Sequence, residues 1–259
     1  MTNRLFLIAG LVALCASAGA QAQLPPPLEA ALSVTLSERA PASMAMRWIV
    51  EGESVTYEVR PTEGGPPAYR LLEPDEAALS ERQREIWTSV TRERSSNEES
   101  EADTPRARVT VGTVDFSGLR AAIGEQATLD RTRADGALVY SFAPRAVPGG
   151  NDTPEAMLRA LRGEVVVDPR RGELKGFHLF APDSFKPSIA ARIERFSLRQ
   201  DFVHDAVLGG PRFAALEMDM AGSAAFQRFD RNLIIELISV DWRDGEEAAE
   251  TLGPAADSP

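Results

Sequence analysis

The sequence predicts an α+β domain built mainly from curved antiparallel sheet. Three patterns carry that expectation. Residues 44–60 read as an apolar run, a turn at Gly52 and an alternating stretch over 55–60, Asp135-Gly136 sits between two strand-like runs, and residues 163–243 read as strand after strand. Stretches with helical spacing punctuate these strands, so the sheet is expected to carry a few helices packed on one side.

Met1 to Arg4 form a short basic start, residues 5–14 an apolar run, and Ala18-Gly19-Ala20 a small-x-small site. Together they read as a cleavable secretory signal over residues 1–20, with a cut after Gln21-Ala22-Gln23 as the alternative. The run is too short to span a bilayer, which takes roughly 20 apolar residues. It is followed by Pro25-Pro26-Pro27, which cannot continue a helix. Cys15, the only cysteine, would leave with the signal, and Leu14 before it is too large for the small pocket that precedes a lipid-bearing cysteine. A processed chain without cysteine has no disulfide, thiolate metal site or cysteine nucleophile. The expected location is the periplasm.

Residues 21–42 read as a flexible proline-rich segment around a short apolar piece, 28–36, and the single β-rich domain is expected over residues 43–243. In the first hairpin Val55, Tyr57 and Val59 share one strand face, and Gly64-Gly65-Pro66-Pro67 breaks the pattern. Residues 74–94 place Leu79, Ile86, Trp87 and Val90 at helical spacing, with Glu81, Arg82, Arg84, Glu85 and Arg92 on a solvated face. Residues 95–105 carry Glu98, Glu99, Glu101 and Asp103 with no bulky apolar side chain, which predicts a disordered acidic insert. Its spacing is not that of a calcium-binding loop.

Val109, Val111 and Val114 predict a strand ending near Gly118, followed by a short helix over 119–123. After the Asp135-Gly136 hairpin, Asp152-Thr153-Pro154-Glu155 starts a helix with Met157, Leu158 and Leu161 facing inward and Gly163 ending it. Strands are then expected at 164–168, 174–181, 189–202, 212–220 and 233–242, the first two joined by a turn at Asp168-Pro169-Arg170-Arg171-Gly172. The near-continuous apolar run of the last predicts a central position in the sheet. Residues 244–259 read as a disordered acidic tail.

The formal net charge is -11, and removal of Arg4 with the signal makes it more negative. A nucleic-acid partner is thereby disfavoured, because phosphate binding needs a basic surface. His178 and His204 are the only histidines, a weak set for a metal without thiols, and no cofactor is expected. There is no Gly-x-Ser-x-Gly elbow, no His-Glu-x-x-His pair and no phosphate-cradling glycine loop. Asp183-Ser184 beside a distant histidine does not define a triad, so no catalytic residue is assigned and a non-enzyme is expected.

The run from Gly163 through Val165-Val166-Val167-Asp168-Pro169 to Leu174, the long strand from Ile189, and the closing Leu233 to Arg243 resemble the later strands of exported half-barrel proteins. Those are the periplasmic lipoprotein carriers and the related domains that sense lipoprotein. The resemblance rests on strand and turn rhythm over residues 163–243. It implies an unclosed barrel with helical lid pieces that holds a lipid, acyl chain or lipoprotein without catalysis. The chain departs from the carriers in its acidic insert and in its early strands. Candidate pocket residues under this reading are Trp48, Phe177, Phe180, Phe196, Leu216, Met218, Met220 and Trp242. The alternative is an envelope protein-interaction module without a pocket.

Overall fold

The structure of the chain, a computed structural model, describes residues 24–37, 39–62, 65–95, 116–146, 155–225 and 227–243. The expected signal, the acidic insert beyond Ser95, the strand at Val109 to Val114, the Asp152-Thr153 cap and the acidic tail lie outside those residues.

Helix α1 (Pro26–Leu32) begins on prolines, whose fixed φ and missing N–H suit the first turn. Strands β1 (Pro41–Val50) and β2 (Glu53–Thr62) follow, joined by Glu51 and Gly52 at φ 54° and 87°. Two successive positive φ values are what a two-residue hairpin turn requires. β3 (Gly65–Glu73) returns along β2, where the sequence predicted only a break. Pro66 and Pro67 are tolerated because among the described residues β3 is an edge strand, with no ladder on its outer side.

Helix α2 (Glu81–Ser95) starts at a capping box that the sequence reading missed. Ser80 Oγ accepts the Gln83 N–H at 3.1 Å, and Gln83 Oε1 accepts the Ser80 N–H at 2.9 Å. Helix α3 (Phe116–Ile123) includes Gly118, so the position where a strand was expected to end is helical and the helix begins earlier than the expected 119. β4 (Thr128–Thr132) and β5 (Leu138–Phe142) form the predicted hairpin, with Gly136 at φ 85° and Asp135 Oδ1 accepting the Ala137 N–H at 3.1 Å. Helix α4 (Glu155–Ala160) stops before Gly163, which lies inside β6 (Arg162–Asp168).

β7 (Glu173–Phe180) follows the predicted turn, in which the Gly172 N–H reaches the Asp168 carbonyl at 2.8 Å. A short β8 (Phe185–Ser188), absent from the sequence reading, precedes three long strands: β9 (Ala191–Asp205), β10 (Gly210–Ala224) and β11 (Gln227–Trp242). Among the described residues eleven strands make one unclosed, curved sheet in the order β3-β2-β1-β11-β10-β9-β7-β6-β5-β4, with β8 on β9. Every pairing is antiparallel.

Two clusters of buried side chains sit on one face of this sheet. Under α1 and α3 lie Tyr140, Phe142, Val165, Val167, Leu174, Phe177 and Phe202. Under α2 lie Met44, Met46, Val55, Tyr57, Val59, Phe213 and Leu237, met by Ile86 and Val90 at one-turn spacing. Trp87 of α2 packs on Tyr57 with ring centroids 5.9 Å apart. The expected tether is thus partly core: Leu24, Leu28, Ala31 and Leu32 are buried, and Glu29 of α1 takes an ion pair from Arg120 of α3 at 2.6 Å. Proline content suggested a linker there, but the apolar spacing over 28–36 is what the sheet uses.

Gly163 has a packing reason for being glycine. A Cβ on it would lie 2.1 Å from Cζ of Phe142, whose ring covers the glycine across the β5–β6 pair. Gly163→Ala is expected to destabilise by about 1–3 kcal/mol through displacement of that ring; a denaturant midpoint equal to the parent's would contradict this packing.

β11 is interior in the sheet, as expected, but its apolar run is not buried on both faces. Leu237 is its one fully buried hydrophobic residue, whereas Ile238 is 47% exposed. Ordinary alternation turns Ile238 away from the face of Leu237, and the pairing with β1 passes over Ile238 between Ala45↔Ser239 and Met46↔Leu237, so that Val240 rather than Ser239 returns to the covered face.

Candidate functional site

Strand register places the candidates on particular faces, since side chains alternate across a pleated sheet. One cross-strand row on the helix-bearing face runs Val55, Trp48, Ile235, Leu216, Gln200, Phe177, Val165 and Tyr140. The next runs Val50, Leu233, Met218, Leu198, Leu179, Gly163 and Phe142. Apart from Gln200 and Gly163 both rows are apolar. Their outer parts belong to the two buried clusters, but Leu233, Met218 and Leu198 belong to neither and are only half-buried. The middle of the apolar face is therefore less covered by the described residues than either flank.

Trp48 stands beside this strip, half-buried, and its Nε1 is buried without a hydrogen-bond partner among the described residues. An unpaired buried donor costs about 1–3 kcal/mol. Phe196 and Met220 form a third row with Arg231. Met220, Ala224, Arg228, Phe229 and Arg231 line a surface depression of about 410 Å³ at that end.

The eight candidates do not form one group. Trp48, Leu216 and Met218 adjoin the half-buried strip, Phe196 and Met220 extend it, and Phe177 is buried in the cluster under α1. Trp242 is at the opposite end of β11, across from Pro41. Phe180 is on the other face: its ring stacks on His178 with centroids 4.9 Å apart, and it pairs across the ladder with Ser197. Phe177 and Phe180 are three apart, so in a strand they point to opposite sides, and aromatic character alone does not place both on one lining. Val50, Leu198, Leu233 and Ile235 were missed. Their alternation is visible in the sequence, but which face it reaches depends on pairing.

The opposite face holds a third, small buried cluster, Ala137, Val139 and Val166, among polar and charged side chains. Arg131 grips Glu164 with two hydrogen bonds of 2.9 and 3.0 Å, Arg195 grips Asp219 at 2.7 and 3.0 Å and reaches Asp230 at 2.9 Å, and Arg47 meets Glu236 at 3.4 Å. These exposed pairs keep that face wetted more than they stabilise it. His178 Nε2 lies 2.8 Å from Ser197 Oγ on this face. Burial holds its imidazole below the ordinary range, and the Arg199 guanidinium pushes the same way, while Glu164, Glu217 and Asp201 oppose them. A serine and a neutral histidine are two members of a nucleophilic site, but Glu164, the cross-strand neighbour of His178, is committed to Arg131. His204 Nδ1 lies 3.0 Å from Oε1 of the buried Glu173.

Among the described residues no group of three or more His, Cys, Asp or Glu side chains is placed to hold a metal ion, and no helix is long and apolar enough to cross a membrane. No protein family, curated protein or solved structure matches this chain.

Proposed function

We propose that the chain is exported to the periplasm and there binds a lipid, an acyl chain or an acylated protein, without catalysis, along the apolar face between its two helix-covered clusters. The observation that carries this reading is the half-buried run Leu233–Met218–Leu198, continuous with apolar rows on either side. An alkyl chain laid across it removes water from apolar surface at about 25 cal/mol per Å². Trp48, half-buried beside the strip, adds its indole to that apolar surface. Residues 21–259 purified from a periplasmic fraction without detergent are expected to release a stoichiometric acyl species into organic solvent, read by mass spectrometry. An empty extract, together with no uptake of an apolar dye, would refute the reading.

That result would favour a protein-interaction module. β4 supports this second reading, because among the described residues it is an edge strand with all five residues exposed and no strand paired on its outer side, where an added strand could pair.

A further inference from the structure

The hairpin ends of β8–β9 and β10–β11 extend past their neighbours. The register of β1 with β11 stops at Leu233, and that of β7 with β9 at Ser197, so the residues beyond have neither β1 nor β7 beside them. The two turns are tied together, the Ala225 N–H donating to the Ala190 carbonyl at 2.9 Å. Ile189 in the first turn is fully exposed, 107% by relative area, the most exposed large hydrophobic residue described. One exposed apolar residue is ordinary on a protein surface. Its surroundings are not.

Residues 184–193 and 220–229 contain Lys186, Arg192 and Arg228 and no Asp or Glu, in a chain whose net charge is -11. Acids flank both windows, Asp183 and Glu194 the first, Asp219 and Asp230 the second, and Arg195 holds Asp219 and Asp230 at 2.7 and 2.9 Å. Arg192 and Arg228 are both cross-strand neighbours of Ser223, which sets them on one face of the tip. Arg192 donates to Ser184 Oγ at 2.9 Å, and none of the three cations has a carboxylate partner among the described residues. Behind them Arg228 and Arg231 share the depression with Met220 and Phe229.

We propose that this tip docks on a bilayer surface rich in anionic phospholipid, with Ile189 entering the interface and Lys186, Arg192 and Arg228 meeting the phosphates. Anionic leaflets attract cationic side chains, an insertable apolar side chain adds to that attraction, and the acidic remainder of the molecule is repelled, which orients the tip toward the surface. The proposal does not depend on a ligand in the apolar strip.

Flotation of residues 21–259, which keep every described residue, with vesicles of equal phosphatidylglycerol and phosphatidylcholine tests it. Binding is expected to exceed that to pure phosphatidylcholine and to weaken as NaCl is raised from about 50 to about 500 mM. Each cation near such a surface strengthens binding about fivefold, so Arg192→Gln with Arg228→Gln is expected to weaken it about 25-fold. Ile189→Asp is expected to weaken it as well, and since all three side chains are exposed the thermal melts should match the parent's. No binding by the parent, equal binding to both vesicle types, or tip variants that float like the parent would overturn the proposal. Met218→Arg separates the two sites: it should float normally, and loss of flotation there but not in the tip variants would place membrane contact elsewhere.

Discussion

Met218→Arg is expected to abolish uptake of an apolar probe while leaving the protein folded. Met218 lies between Leu233 and Leu198 across the ladder, in the part of the apolar face that neither buried cluster claims. It is half-buried, so a longer side chain has room to leave the sheet surface without displacing core. The guanidinium then occupies the strip where an alkyl chain would lie, and bringing that chain in would require the charge to lose its water, at a cost of several kcal/mol. Binding of a fluorescent fatty-acid analogue, titrated beside a thermal melt, reads both effects, and at least a tenfold loss of affinity, about 1.4 kcal/mol, is expected. Met218→Leu, which keeps the apolar surface, should bind like the parent. If Met218→Arg binds normally, this strand does not line a binding face.

Leu28→Ala is expected to lower the free energy of unfolding by about 2–5 kcal/mol, a change large enough to unfold a marginal domain. Leu28 is completely buried and packs in the cluster that includes Ala31, Leu32, Ile123 and Phe177. Removing most of its side chain leaves a cavity between a helix and a sheet, two stiff surfaces that close poorly around it. Urea unfolding followed by circular dichroism measures the loss. A change under about 0.5 kcal/mol would mean that α1 is not part of the folded unit, the behaviour a flexible tether would show.

The contrast between these two positions shows which features were legible in the sequence. Met218 was identified because Leu216, Met218 and Met220 alternate with Glu217 and Asp219 over a stretch of β10 whose pairing has no irregularity. Leu28 was assigned to a tether because Pro25, Pro26 and Pro27 precede it, and local composition carries no information about a sheet whose nearest strand is far along the chain.

Local chemistry by itself determined the antiparallel character, most of the strands and the turns at Gly52, Asp135-Gly136 and Asp168 to Gly172, because alternation and turn geometry are properties of adjacent residues. Tertiary structure decided the rest. The joining of β11 to β1, the pairing of β8 with β9 and the edge place of the proline-bearing β3 depend on contacts between distant segments. Irregular pairing at Ala45/Met46, Phe213/Ala215 and Ala221/Gly222 shifts the alternation partway along a strand, so that period-two reading puts residues beyond each shift on the wrong face. The apolar strip exists only when five strands bring Val50, Leu233, Met218, Leu198 and Leu179 side by side, and no one of those strands encodes it.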